Sequence, residues 1–176
     1  MTGGTSVPHW CNMRIRTLHR EQWVARPVSE VFAFFCEARN LDRITPPWLH
    51  FRVLGQSGHE LSAGTLIHYR LAWHGMPLAW TSRIEEWLPP CRFVDLQLKG
   101  PYSLWNHAHS FEALDDGTLM VDTIRYSVPF GTLGDICAGW LVRRDVEQIF
   151  DYRARKITAI FSKKSTSAEL RRHVCR

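Results

Sequence analysis

The sequence lacks the features that define several common classes of protein. Its five cysteines (Cys11, Cys36, Cys91, Cys137 and Cys175) are odd in number, scattered and without a C-x-x-C pair, which argues against a disulfide framework or a zinc knuckle. We expect reduced, mostly buried thiols. No apolar run approaches the roughly 20 residues that span a bilayer. The amino terminus has no basic segment followed by an apolar one, so no secretory signal is predicted and we expect a cytoplasmic protein.

Motifs for several kinds of catalysis are also missing. The G-x-x-G stretches at 55–58 and 131–134 lack the Lys-Ser/Thr of a phosphate-binding loop, and no G-x-G-x-x-G is present for a dinucleotide. There is no G-x-S-x-G, and no cysteine has the local signature of a catalytic thiol. We therefore expect no cofactor.

The charge is concentrated near the carboxyl terminus. The chain of 176 residues has the length of one domain and a net charge of +5. Residues 143–176 carry ten Lys/Arg against four Asp/Glu, so the basicity belongs to the end of the chain. A basic patch can contact nucleic acid or an anionic membrane surface. Because no nucleic-acid motif accompanies it, we predict a solvated helix face with a loose tail, no nucleic-acid partner and no stable membrane insertion.

Periodic patterns divide the chain into strands and helices. Residues 1–12 are polar and aperiodic, so we expect a disordered extension, with Met13 an alternative start. After a strand at 14–25, Pro27 opens a short helix, and a second short helix follows Asn40 until Pro46-Pro47. Trp48 and Leu49 are predicted to begin the sheet. Further strands are predicted at 50–55, 64–74, 78–88, 91–99, 102–114 and 118–129, followed by an amphipathic helix at 135–161 and a flexible basic tail at 162–176.

The strands at 102–114 and 118–129 carry the most informative pattern. A tight turn at Asp115-Asp116-Gly117, where Asp-Gly supplies positive φ, pairs them as a hairpin. This register places Phe111 opposite Met120, His109 opposite Asp122 and Trp105 opposite Tyr126. A turn at Gly100-Pro101 likewise places Asp95 opposite His107 and Gln97 opposite Trp105. Two histidines and two carboxylates then share an otherwise apolar face, which suits a cavity because each buried polar group needs a partner.

Three interpretations of this polar group are open. The histidines and carboxylates could bind a metal ion. They could transfer protons, each histidine being oriented by an aspartate. They could also form a buried network that is structural or that orients a ligand, and this is the interpretation we adopt, with no metal. The proposed lining of the site adds ten aromatic side chains that are predicted to point between sheet and helix: Phe32, Phe35, Tyr69, Trp73, Trp80, Trp105, Phe111, Tyr126, Trp140 and Phe150.

Several stretches also resemble the SRPBCC (START-like, polyketide cyclase/dehydrase-type) superfamily, in particular bacterial ligand-binding SRPBCC domain proteins. The matching stretches are RPVSEVFAFF at 26–35, NLDRITPPWL at 40–49, GTLIHYRL at 64–71, IEEWLPPCRFVD at 84–95, GPYSLWNHAHSF at 100–111, RYSVPFGTLG at 125–134 and VRRDVEQIFDYR at 142–153. The resemblance implies an α+β helix-grip (START-like) fold over residues 13–161. In that fold a bent antiparallel sheet of about seven strands wraps the long carboxy-terminal helix, with two short helices after the first strand and an apolar cavity between.

The resemblance implies no particular reaction, because superfamily members include carriers, receptors and a minority of enzymes. We expect binding of a small hydrophobic ligand (lipid, quinone, polyketide-like or other aromatic), oriented by Asp95, Gln97, His107, His109 and Asp122. One alternative is a cyclase or dehydratase that uses His107 or His109 as acid or base. Another is an interaction module whose basic helix face docks on an acidic surface, through Arg143, Arg144, Arg155 and Lys156.

Overall fold

Seven strands and three helices follow one another in the predicted order within residues 14–162, the part of the chain that the computed structural model describes. The strands are β1 (Arg16–Val24), β2 (Arg52–Gln56), β3 (Leu66–Trp73), β4 (Met76–Leu88), β5 (Arg92–Lys99), β6 (Leu104–Leu114) and β7 (Gly117–Ser127). The helices are α1 (Val28–Cys36), α2 (Leu41–Ile44) and α3 (Gly131–Ser162). The extension predicted at 1–12, and the tail predicted at 162–176 apart from its first residue, lie outside the described residues.

The strands form one antiparallel sheet in the order β1-β7-β6-β5-β4-β3-β2. Register shifts between Val53 and Gly55 and between Ile84 and Glu86 interrupt the ladders, and irregularities of this kind bend the strands that carry them. The helix-grip arrangement predicted from the sequence is therefore confirmed. So are the cross-strand pairs Phe111 with Met120, His109 with Asp122, Trp105 with Tyr126 and Asp95 with His107.

The turn between β6 and β7 differs from the prediction in its backbone conformation. Asp115, not Gly117, adopts the positive φ, of 55°. Gly117 lies in β7, where a Cβ atom would be 2.5 Å from the carbonyl oxygen of Val24. Glycine is therefore needed at 117 for close approach to β1, whereas aspartate tolerates the left-handed region at 115.

Two element boundaries were predicted wrongly. Trp48 and Leu49 belong to a 3-10 turn, Pro47–Leu49, and not to the sheet, because the fixed φ of proline suits the first residue of a helical turn. Helix α3 begins at Gly131 and not at Asp135. Phe130 and Gly131, with φ of 65° and 56°, turn the chain directly from the end of β7 into the helix.

Helix α3 is fixed against the sheet edge by polar contacts with β1. The guanidinium of Arg16 donates two hydrogen bonds to the buried Asp135, at 2.8 Å and 3.0 Å. Gln22 donates to the carbonyl oxygen of Ala154 and to the Thr158 hydroxyl. These contacts lie near the start and in the last third of the helix, so they fix its position along most of its length of about 48 Å.

The core consists of two apolar clusters between the sheet and the helices. The first combines α1 with the ends of several strands and of α3, and includes Phe32, Phe35, Phe93, Phe111, Ile157 and Phe161. The second lies under the first half of α3 and includes Leu18, Ile124, Tyr126, Val142, Val146 and Phe150. None of the helices within residues 14–162 is long and apolar enough to span a bilayer.

The expectation of mostly buried thiols is wrong for the cysteines that the structure describes. Cys91 and Cys137 are exposed, and Cys36 is only half-buried. Cys91 lies in the turn between β4 and β5, and Cys137 lies on the outer face of α3. Neither residue belongs to a core cluster.

Candidate functional site

Four polar side chains meet on the inner face of β5, β6 and β7, as the predicted register requires. His107 Nε2 lies 3.0 Å from Asp122 Oδ1, and His109 Nδ1 lies 2.8 Å from the same oxygen. On the other side, Asp95 Oδ2 is 3.3 Å from His109 Nε2 and 3.6 Å from His107 Nδ1. Each imidazole thus bridges two carboxylates, and all four side chains are largely buried. We call these residues together with Arg153 the polar cluster.

Arg153 is the member of the polar cluster that sequence reasoning missed. It projects from α3, with Nε 3.9 Å from Asp122 Oδ2 and Nη2 3.4 Å from His109 Nδ1. A signal was available, because the buried positions of α3 recur every three or four residues and position 153 falls between Phe150 and Ile157 in that series. An arginine on the buried stripe of an amphipathic helix needs a buried partner.

The electrostatics of the polar cluster are set by burial and by Arg153. Burial alone would raise the pKa of Asp122, but the guanidinium of Arg153 and hydrogen bonds from both imidazoles hold that pKa well below its ordinary value. Burial also disfavours ionised Asp95, yet a hydrogen bond from His109 and the nearby positive charges lower its pKa. Burial and the neighbouring His109 lower the pKa of His107 to about 4, against the pull of Asp122 and Asp95. Both carboxylates are therefore ionised and His107 is neutral at pH 7.

The charges in the polar cluster partly offset one another. Arg153 lies beside Asp122, so its positive charge offsets that carboxylate. Both ring nitrogens of His109 face carboxylate oxygens, at 2.8 Å and 3.3 Å. Opposite charges that are close together and hydrogen-bonded can be buried at moderate cost, whereas removing one partner of a buried pair leaves an uncompensated charge.

Three of these residues also offer ligand atoms for a metal ion, one of the interpretations left open by the sequence. Asp95, His107 and His109 each offer one ligand atom, and the three atoms lie within 4.8 Å of one another. Imidazole and carboxylate donors suit Zn²⁺ and similar ions. The guanidinium of Arg153 adds positive charge beside them, and the imidazole nitrogens already face carboxylates. The arrangement fits a buried ion cluster better than a metal centre.

Hydrogen bonds connect the polar cluster to Ser82 and Trp80 of β4. Ser82 donates a hydrogen bond to Asp95 Oδ1 at 3.3 Å, and Trp80 donates its indole N–H to the Ser82 hydroxyl at 3.0 Å. Burial, aided by the charge of Asp95, raises the pKa of Tyr69 well above its ordinary value, so its hydroxyl stays protonated. Neutral hydroxyl and indole groups thus surround the charged centre.

Aromatic rings enclose the polar cluster on both sides. The ring of Phe93 stacks on His109 with centroids 4.1 Å apart, and Phe150 contacts His107 edge-on at 5.2 Å. The guanidinium of Arg153 lies over the rings of Phe35 and Phe150. The polar cluster therefore separates the two apolar clusters of the core. Phe93 was not among the predicted lining residues, although its alternation with Asp95 on β5 places both on one face.

Most of the predicted aromatic residues point inwards. Those that are buried are Phe32, Phe35, Tyr69, Phe111, Tyr126 and Phe150, and those that are half-buried are Trp73, Trp80 and Trp105. Trp73 donates its indole N–H to Asp145 of α3 at 2.7 Å, and Trp105 packs against Tyr102 and Trp80.

Two placements in the prediction were wrong. Trp140 lies on the outer face of α3 and is 65% exposed, and Ile136 on the same face is 71% exposed. The face of the helix that is turned towards the sheet carries Gly139 and Val142 instead. Gln97 does not join the polar cluster. Its amide spans the β5–β6 turn, donating to the carbonyl oxygen of Tyr102 at 2.7 Å, and the β5–β6 ladder ends before it reaches the predicted partner of Gln97.

A cleft of about 520 Å³ lies between β1 and α3. Its rim is polar, with Arg14, Arg16, Arg143 and Glu147, and its walls include Leu18 and Tyr126. Leu18 and Tyr126 also belong to the second apolar cluster, so the cleft borders that cluster.

The sequence matches the family described as polyketide cyclase/dehydrase and lipid transport over residues 24–151. Because this match covers well over half of the chain, the protein belongs to that family and so to the SRPBCC superfamily. The predicted resemblance is thereby confirmed. A comparison of the sequence with curated proteins found no match.

Solved structures share the fold at low sequence identity. The ZhuI aromatase/cyclase from Streptomyces sp. R1128 superposes with a TM-score of 0.69 at 18% identity, covering 89% of this chain and 99% of that one. Ara h 8.0201 gives a TM-score of 0.63 at 15% identity, over 85% and 99%. One half of the di-domain ARO/CYC StfQ of the steffimycin biosynthetic pathway gives 0.64 at 15%, over 84% of this chain and 51% of that chain. These similarities establish the fold.

Proposed function

We propose that this protein binds a small hydrophobic molecule, such as a lipid, quinone or polyketide-like aromatic, between the sheet and α3, and that Arg153 orients a hydrogen-bond acceptor on it. One observation carries the proposal: Arg153 Nε is buried and, within the described part of the chain, has no hydrogen-bond partner. A buried donor left unpaired costs about 1–3 kcal/mol, and more when it is charged. A carbonyl or hydroxyl oxygen of a ligand would remove that cost.

The surroundings of Arg153 suit the apolar part of such a ligand. Its guanidinium is flanked by Phe35 and Phe150, and flat aromatic surfaces favour planar or isoprenoid groups. Entry would follow the cleft between β1 and α3, whose volume of about 520 Å³ falls within the usual range for small-molecule sites. Ile15, Leu18 and Tyr126 are the apolar side chains that line this cleft.

The experiment compares two conservative variants on the same helix. Arg153→Lys keeps the positive charge beside Asp122 but removes the Nε donor, and Arg155→Lys makes the same change on the exposed side of α3. Binding of a fluorescent hydrophobic probe, and its displacement by carbonyl-bearing and hydrocarbon competitors, would be measured at pH 7. A hydrogen bond from a charged group predicts that Arg153→Lys weakens binding of the carbonyl competitors by roughly tenfold or more, with hydrocarbons and Arg155→Lys unaffected.

Native and denatured masses of the protein purified gently from cells provide the complementary measurement. A mass excess of several hundred daltons that disappears on denaturation would identify the bound molecule. Equal masses, together with no displacement by any competitor, would contradict the proposal.

A second candidate is acid–base catalysis of the cyclase or dehydratase type, favoured by the paired imidazoles. His107 is neutral at pH 7 because its pKa is about 4, and its Nε2–H donates to ionised Asp122. The lone pair that would accept a proton from a substrate is therefore on Nδ1, which faces Asp95 at 3.6 Å. Membership of a family described as polyketide cyclase/dehydrase and lipid transport, and a fold shared with an aromatase/cyclase, support this candidate. This candidate predicts that His109→Ala or His107→Gln abolishes turnover of a polyketide-like substrate with nearly unchanged affinity. An equal loss of both would count against it.

A further inference from the structure

One end of the molecule exposes large apolar side chains that the core does not use. Because neighbouring strands are antiparallel, β7 ends where α3 begins, and the β3–β4 and β5–β6 turns lie at this same end of the sheet. Phe130, Leu133, Ile136 and Trp140 are between 65% and 86% exposed there. We call these four residues the apolar end. Contiguous exposed apolar surfaces are uncommon on monomeric proteins and often mark a site of interaction with a protein or a membrane.

The geometry of α3 aligns these side chains. Leu133, Ile136 and Trp140 are spaced by three and four residues, so they follow one stripe of the helix, and Phe130 precedes it at the helix start. The face turned towards the sheet carries Asp135, Gly139 and Val142 and so already has its partner. Phe130 has a positive φ of 65°, an uncommon conformation for an aromatic residue that directs its ring outwards at 86% exposure.

The charges around the apolar end are predominantly positive. Arg143 and Arg144 are exposed one turn beyond Trp140, and the guanidinium of Arg14 is 66% exposed. The acidic groups nearby are engaged: Asp135 binds Arg14 and Arg16, Glu147 binds Arg143 at 2.9 Å, and Asp145 binds His74 at 2.8 Å. The basic side chains at this end (Arg14, Arg16, Lys99, Arg143 and Arg144) outnumber these three carboxylates.

We propose that the apolar end docks on the surface of an anionic lipid bilayer. An aromatic and aliphatic stripe with flanking arginines has the composition of helices that lie in the interfacial region, where tryptophan is favoured and arginine is attracted to anionic headgroups. Leu133, Ile136 and Trp140 would enter the headgroup layer, and Arg144 would lie near the phosphates. The proposal uses the outer face of α3, so it does not depend on ligand binding at the inner face.

Flotation of the full chain with lipid vesicles tests this proposal. We expect binding to vesicles of phosphatidylcholine with phosphatidylserine, weaker binding to phosphatidylcholine alone, and a decrease as salt is raised. Leu133→Asp combined with Ile136→Asp should lower the affinity by roughly tenfold or more, because two apolar side chains no longer enter the bilayer. The matched control is Leu88→Asp with Leu114→Asp, which adds the same charge at the opposite end of the sheet and should keep the wild-type affinity.

Other occupants of the apolar end give distinct results. If the Leu133→Asp, Ile136→Asp variant binds as well as wild type, the basic segment after Ser162 carries the membrane contact and the proposal is wrong. A second outcome is that the wild-type protein does not bind the vesicles but is a dimer, as measured by light scattering, and that this variant is a monomer. The apolar end would then join two copies of the chain, and the proposal would also be wrong. Circular dichroism confirms that the variants are folded, and unchanged ligand displacement separates this outcome from failure of the proposed function.

Discussion

Replacing Asp122 by asparagine tests how far the polar cluster depends on the carboxylate that faces Arg153 and both imidazoles. The carboxylate of Asp122 is shared by His107 at 3.0 Å, His109 at 2.8 Å and, more distantly, Arg153. Asparagine keeps the size of the side chain but removes the negative charge, so Arg153 remains buried with Asp95 as the only carboxylate of the cluster. Breaking a buried ion pair from one side costs about 3–5 kcal/mol. We expect that loss at pH 7 from Asp122→Asn.

Urea denaturation followed by circular dichroism measures this loss. With an m value of about 2 kcal/mol per molar urea, the midpoint should fall by about 1.5–2.5 M. Asp151→Asn is the matched control, because Asp151 pairs with Arg20 at 3.3 Å but is 54% exposed. Exposed pairs contribute about 0–1 kcal/mol, so the control should lie close to wild type.

A double variant separates the charge from the shape of the side chain. Adding Arg153→Met to Asp122→Asn removes the guanidinium that has lost its nearer carboxylate, so the double variant should be more stable than the sum of the single effects predicts by about 1 kcal/mol or more. Additive effects, or a loss below about 1 kcal/mol from Asp122→Asn alone, would refute the pairing of Asp122 with Arg153 as a source of stability.

Three further results are expected. The pKa of His107 is about 4 in the folded state and about 6.5 in the unfolded state, so between these pH values only the unfolded state binds a proton there. The free energy of unfolding, measured by urea titration, should therefore decrease by about 3 kcal/mol as the pH is lowered from 6.5 to 4. His107→Gln should flatten that slope, and an unchanged slope would contradict the lowered pKa. Gly139→Ala places a Cβ atom 2.6 Å from the buried carboxylate of Asp135, which binds Arg16 of β1, and should lower the free energy of unfolding by about 1–3 kcal/mol. Gly55→Ala meets no atom within 4 Å and should be nearly neutral, so equal effects of the two substitutions would contradict this packing. Phe93→Ala leaves a cavity beside His109 and should lower the free energy of unfolding, measured by calorimetry, by about 3–5 kcal/mol. Replacing the exposed Leu88 by alanine should lower it by about 0.5 kcal/mol or less, and a similarly small loss from Phe93→Ala would show that the Phe93 ring is not packed as described.

Local pattern was sufficient for the sheet part of the site. Strand side chains alternate between faces, and short hairpin turns fix the register, so the residues that oppose one another across β5, β6 and β7 follow from counting back from the turns. Asp95, His107, His109 and Asp122 were therefore predicted as neighbours and lie within hydrogen-bond or ion-pair distance. The same counting placed Gln97 wrongly, because its amide donates a hydrogen bond to the backbone of the β5–β6 turn instead of joining the polar cluster.

The helix part of the site was decided by tertiary structure. Both Trp140 and Phe150 fit a helical period, but periodicity alone does not say which side of α3 faces the sheet, and that is decided by packing and by the contact of Arg16 with Asp135. The same rotation of the helix buries Arg153 in the polar cluster and exposes Trp140 to solvent. The amino-acid sequence by itself thus determined the strands, their register and the pairing of histidines with aspartates, because these depend on contacts close along the chain. Only the tertiary structure decided which side chain of α3 completes the polar cluster, because that contact joins residues far apart in sequence.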